Sequence, residues 1–248
     1  MRGTETITVP EALHGYPGVA FGGYVAGLLA ARMAAPAEGE AVRVDFRRPV
    51  ATRTPVRPEP GPEGVSLLDG DGGLLAAAVT VAAPLGELPA PPSWAEAVKA
   101  ADTYRADPPD GQVDCFGCGL GRTPATGLRL HCGRVPGRDL VAAAWTPGVE
   151  LAGPDGALPA ELVWGALDCP GNAAGRLLAG GPAGAVTASL TARLLRPVPV
   201  PVAGEGLVSY AWLLGVEGRK CEVGTALVAP DGEPYAYARA LWIRPRTA

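Results

Sequence analysis

Gly22-Gly23-Tyr24-Val25-Ala26-Gly27-Leu28-Leu29-Ala30 is an apolar run opened by two glycines, and Gly165-Ala166-Leu167-Asp168 echoes its end later in the chain. A helix with so little charged face must be buried, so the first run, from Tyr24 to about Met33, predicts a central helix. Around it, Glu5 to Val9 alternates like a strand, and Val42 to Pro49, Thr54 to Arg57, Gly64 to Leu68 and Leu74 to Val81 follow as further strands. The second occurrence has the same surroundings. Gly127 to Cys132 and Leu140 to Trp145 read as strands and Ala160 to about Leu178 as the apolar helix. Ala185 to Arg196, Gly206 to Leu214, Glu217 to Val228 and Pro234 to Ile243 complete the second meander. The halves match at Gly27–Ala30 against Gly165–Asp168, at Arg48-Pro49 against Arg196-Pro197, and at the turn signals Asp71-Gly72 and Asp231-Gly232. The spacing between partners widens steadily, as an insertion such as the Gly-rich Gly171 to Gly184 would require. The order implies one α+β module used twice, an antiparallel sheet wrapped around a central helix. Two unrelated α+β halves matching by chance is the alternative.

The most linker-like segment lies between the halves, from Pro84 to Val113, and encloses a short helical stretch, Trp94 to Tyr104. The expected organisation is an N-terminal module over 1–95, a linker over 96–112 and a C-terminal module over 113–248. Joining the two sheets edge to edge would cover strands otherwise exposed, so that the duplication replaces a homodimer.

With 48% hydrophobic and 19% charged residues over 248 positions, the chain can bury a substantial core. A net charge of -4, with scattered arginines, gives no basic stripe and argues against nucleic acid as a partner. The most apolar stretches, Val25 to Ala35 and Leu74 to Leu85, are shorter than the roughly 20 residues of a bilayer span, so no membrane partner is expected. The polar start, Met1 to Thr6, lacks the apolar region of a signal peptide, which points to the cytoplasm and to reduced thiols. The five cysteines contain a single CxxC, Cys115-Phe116-Gly117-Cys118, without a second pair at zinc spacing; a buried thiol pair shaping a turn is expected, and no metal.

Three motifs resemble the hotdog-fold thioesterases, in particular the double-hotdog acyl-CoA thioesterase II and its PaaI-like relatives. Cys115-Phe116-Gly117-Cys118-Gly119, followed by Gly127-Leu128, is similar to the Cys-x-x-Cys-Gly…Gly-Leu opening of PaaI-like proteins. Gly22-Gly23 with its helix resembles the family's His-Gly-Gly helix start, with Phe21 in place of histidine, and the strand Ser189 to Leu195 ends on an Arg-Pro pair as in acyl-CoA thioesterase II. The resemblance implies two tandem hotdog modules and an acyl-thioester hydrolase acting without cofactor on acyl-CoA or acyl-carrier-protein substrates, with a homo-oligomer of double-hotdog units possible.

The family's helix acid falls on Asp168, and its counterpart in the first module is Ala30. A carboxylate on a buried apolar helix is costly unless paired or functional, which singles out Asp168 on physical grounds as well; a turn aspartate before a helix-breaking Pro170 is the competing reading. The family's strand threonine falls on Thr187, nine residues before Arg196, with Ser189 expected on the same face; threonine placed for packing alone is the competing reading. The family's glutamine has no match in Tyr237-Ala238-Arg239-Ala240-Leu241. Gly22 and Gly23 would offer helix N-terminal amides to an oxyanion, or would simply permit close packing. His14 lies in the loop before them and is a candidate for lining the pocket, whereas His131 reads as a packed or surface histidine. Two other functions fit the same residues: a hotdog hydratase or dehydratase of 3-hydroxyacyl thioesters, which needs a histidine facing Asp168, and a non-catalytic acyl-thioester binder.

Overall fold

The computed structural model describes residues 5–82, 86–111, 113–181, 183–201 and 206–244. The outermost N-terminal residues, part of the segment read as lacking a leader, and residues 84, 85 and 112 of the linker segment lie outside the described residues.

In the first half, β1 (Ile7–Thr8) precedes α1 (Gly22–Ala30), and β2 (Glu40–Phe46), β3 (Pro55–Pro60), β4 (Gly64–Leu68) and β5 (Leu74–Ala82) form the meander. α2 (Trp94–Ala106) follows, then β6 (Gly133–Arg134), β7 (Val141–Trp145), α3 (Ala160–Leu177), β8 (Val186–Leu194), β9 (Leu207–Glu217), β10 (Lys220–Val228) and β11 (Pro234–Ile243). Among the described residues the strands make one antiparallel sheet in the order β1-β3-β4-β5-β2-β8-β11-β10-β9-β7-β6. The two meanders meet at β2 and β8, where Val44 pairs with Leu190 and Arg43 with Thr191. Both outer edges are strands of two residues, too short to template further pairing.

The two central helices cross inside this sheet. A Cβ on Gly23 would lie 2.6 Å from the Gly165 Cα, and one on Gly27 would lie 2.4 Å from the Glu161 Cα. As α1 advances from 23 to 27 its contact on α3 retreats from 165 to 161, so the helices run antiparallel with backbones touching. Glycine is required at both positions because any side chain would force the helices apart. This crossing brings the N-terminal turn of α1 against the middle of α3, which is where Asp168 sits.

Two helices expected from the sequence are present, and one expected strand is not. Pro170 does not end α3, which continues to Leu177. The proline cannot donate to the Ala166 carbonyl one turn back, and the Ser209 hydroxyl of β9 donates to that carbonyl instead, at 2.6 Å. Gly127 to Cys132 is not a strand: Arg129 takes a positive φ of 56°, and the Leu128 and Leu130 amides donate to the Phe116 and Gly117 carbonyls of the cysteine loop. The helical stretch inside the linker range is α2, capped by a Ser93–Glu96 box and buried along Ala97, Ala100 and Ala101. It covers the opposite face of the sheet from α3, where Tyr210 and Val208 alternate with the α3-facing Ser209 and Ala211. No helix among the described residues is long and apolar enough to cross a membrane.

Candidate active site

A cavity of about 340 Å³ opens where the N-terminal turn of α1, the middle of α3 and the start of β8 converge. Its wall is mainly apolar and includes Phe21, Val25, Leu130 and Trp242. Asp168 contributes the carboxylate, and its side chain is almost wholly buried, with 1% exposure. The Thr187 hydroxyl donates to Oδ1 at 2.8 Å and the Gly23 amide donates to Oδ2, also at 2.8 Å. These two bonds fix the plane of the carboxylate. Burial raises Asp168 from the ordinary carboxylate range to about 6, against the opposing pull of Thr187 and Gly23.

The structure brings Asp168, Thr187, Gly22 and Gly23 together. A Cβ on Gly22 would lie 3.2 Å from Asp168 Oδ2 and 3.3 Å from Thr187 Oγ1, so the bare backbone leaves the approach to the carboxylate open. The Gly23 amide, expected to face an oxyanion, is engaged by the acid itself. The Gly22 amide, at the first position of α1 where no intrahelical partner exists, has no hydrogen bond among the described residues.

Ser189 does not share the face of Thr187. The β8–β11 ladder shifts between Leu241 and Trp242, so Trp242 pairs with Thr187 while Leu241 pairs with Ser189. Two residues of β8 thus oppose one step of β11, and this bulge breaks the alternation from which Ser189 was placed. Thr187 and Ala188 line the cavity; Ser189 does not. His14 is also absent from the wall, although its neighbours Gly15 and Tyr16 are part of it. Its Nδ1 lies 2.7 Å from the Glu11 carbonyl and its Nε2 3.3 Å from the exposed Asp114, which hold the ring away. His131 stacks on Tyr104 at a centroid distance of 5.2 Å, and burial together with Arg105 and Arg129 lowers its pKa to about 4. Neither histidine reaches Asp168.

The CxxC lies against the cavity. Cys115, Cys118, Cys132 and Cys169 all line it, and none of the five cysteines is in a disulfide among the described residues. The hydrogen bond to Cys118 and then burial push the Cys115 thiol up, and burial does the same to Cys132, so these walls are protonated and effectively apolar. Among the described residues no group of three or more His, Cys, Asp or Glu is arranged to hold a metal ion.

Two polar residues of the wall were not singled out from the sequence. Asn172 and Arg176 follow Asp168 at one and two helical turns, and both face the cavity. That four-residue periodicity was the signal available in the sequence. Arg47 and Arg48, just after β2, also belong to the lining, with the Arg48 guanidinium held by the Asp69 carboxylate and the Leu74 carbonyl.

No family model and no curated protein matches the chain. Solved structures do. The tesB protein of Mycobacterium avium subsp. paratuberculosis superposes with a TM-score of 0.60 at 17% identity, over 92% of this chain and 89% of that one. The acyl-CoA thioesterase II TesB2 of Mycobacterium marinum gives 0.60 at 14% identity, over 98% and 93%. A conserved protein of unknown function with a hot dog fold from Alicyclobacillus acidocaldarius gives 0.51 at 13% identity, over 100% and 96%. The fold is the hotdog fold, present twice. Each hotdog module contributes one central helix to the crossing at Gly23 and Gly27, and the cavity forms between the modules, with α1 from one and α3 from the other.

Proposed function

We propose that the protein hydrolyses acyl thioesters, with Asp168 as the general base. The observation that carries this reading is a buried carboxylate, oriented by Thr187 and Gly23, in the wall of an apolar cavity. A base with a pKa of about 6 is ionised at neutral pH yet still takes a proton from water. In the reaction Asp168 removes a proton as water attacks the thioester carbonyl. The C–S bond then breaks, and the proton passes from Asp168 to the departing thiolate. Thr187 holds the carboxylate at the angle required, and the Gly22 amide, at the positive end of α1, is the donor available to the oxyanion.

The apolar wall suits an acyl chain. Arg47 and Arg176 in the lining suit the phosphates of coenzyme A or of a carrier-protein phosphopantetheine, whereas Arg48 is already paired with Asp69. The hydratase reading loses support because it requires a histidine beside the acid, and both histidines are held elsewhere.

The test is thiol release from a panel of acyl-CoA esters by wild-type protein and by Asp168→Ala. Wild-type turnover with a loss of at least about 100-fold in the variant is expected. Equal rates would refute the assignment, and tight acyl-CoA binding without turnover by the wild type would select a binding protein instead.

A further inference from the structure

We infer that Asn172 positions the attacking water, accepting a hydrogen bond from one O–H while Asp168 takes the proton of the other; this rests on the hydrolytic reading of Asp168. A water that attacks a carbonyl carbon must aim a lone pair at it, so both of its O–H bonds are best directed to acceptors elsewhere. Asp168 supplies one. Among the other polar side chains of the cavity wall, Arg47, Arg48 and Arg176 are donors only. The Tyr16 hydroxyl donates to the Ala185 carbonyl at 2.8 Å, and burial pushes its pKa up to about 12, so it stays protonated. Thr187 gives its proton to Asp168 and serves to orient the acid.

Asn172 is different. Its Nδ2 donates to the same Ala185 carbonyl at 3.2 Å, which settles the orientation of the amide, because the reverse orientation would set two acceptors against each other. Oδ1 therefore remains as an acceptor and has no hydrogen-bond partner among the described residues, nor is it among the sealed, unpaired polar atoms. Asn172 follows Asp168 by four residues on the same face of α3, a spacing that sets two side chains roughly 5–6 Å apart at their Cβ atoms. A single water spans such a gap with one hydrogen bond to each side. The bonds from Asn172 and Tyr16 to Ala185 tie the amide to the chain just before β8, so its position is fixed before substrate enters.

The test compares wild type, Asn172→Ala and Asn172→Gln in hydrolysis of whichever acyl-CoA the wild type turns over, and in acyl transfer from it to added hydroxylamine. Asn172→Ala is expected to lose about 10- to 100-fold in kcat for hydrolysis, with KM within about twofold. Hydroxylamine is a stronger nucleophile and needs less orientation, so its reaction should fall less, shifting the product ratio toward the hydroxamate. Asn172→Gln keeps both an amide donor for Ala185 and an acceptor oxygen, and should retain more hydrolysis than the alanine variant. An unchanged kcat in Asn172→Ala overturns the inference, and so does an equal loss of hydrolysis, hydroxylaminolysis and KM, which marks a structural role. If Asp168→Ala is inactive while Asn172→Ala keeps the wild-type kcat, only this inference fails; if Asp168→Ala is fully active, or no thioester is cleaved, the reading of the site fails and this inference with it.

Discussion

At the scale of the residue, everything depends on the charge state of Asp168. Its carboxyl is raised by burial from 3.8 to about 6, so between those values the folded chain holds a proton that the unfolded chain has lost. Stability from this group is therefore present below about pH 4 and is lost as pH rises through 6. Activity follows the opposite sense, because the base must be ionised. The expected kcat/KM profile falls on the acid side with an apparent pKa near 6. Asp168→Asn should lack both behaviours: no turnover, and a stability relative to wild type that improves by about 2 kcal/mol from pH 4 to pH 7. Urea denaturation at the two pH values measures the second effect. A constant difference would mean that folding does not raise the Asp168 pKa, and the acid-side limb of activity near pH 6 would go with it.

At the scale of the element, α3 shows why local sequence is an incomplete guide. Its extent was legible, since an apolar run from Ala160 onward has only one structural use. What carries it past Pro170 was not, since the donor that replaces the lost helical hydrogen bond, Ser209 of β9, lies 43 residues beyond Ala166. Likewise the position of Thr187 was legible by counting back from Arg196, but Ser189 was misplaced because a bulge in the ladder is invisible to a two-residue alternation. The pairing of Ser209 with Pro170 has a measurable consequence. Ser209→Ala leaves the buried Ala166 carbonyl without a donor and should cost about 1–3 kcal/mol. In a Pro170→Ala background the restored amide can bond to Ala166, so the same serine substitution should cost less. A double-mutant cycle by denaturant unfolding would show the two as coupled, and independent costs would refute this account of how the helix passes its proline.

At the scale of the whole molecule, the likeness of the two halves bears on how many acyl thioesters one chain would hold under the proposed function. The antiparallel crossing of α1 and α3 relates the two modules, and the arrangement at Asp168 would have a counterpart at the other end of the crossing. Its parts are missing from the sequence. Ala30 stands where the acid would be, and Gly39, nine residues before Arg48, stands where Thr187 would be. The residue before α3 is Pro159, where α1 has Phe21 before its two glycines, and α3 opens on Ala160 and Glu161. Glu161 is also packed against Gly27 and contributes a negative charge near Tyr24. An acyl thioester at this second position would find no base, no hydroxyl to orient one, and a carboxylate near its carbonyl oxygen. One site per chain follows. Titration calorimetry with a non-hydrolysable thioether analogue of an acyl-CoA should give a stoichiometry of one per chain in wild type, and Gly22→Trp, which fills the approach to Asp168, should abolish the binding without leaving a residual second site. Two sites per chain, or binding that survives Gly22→Trp at full stoichiometry, would place the ligand outside the cavity between the modules.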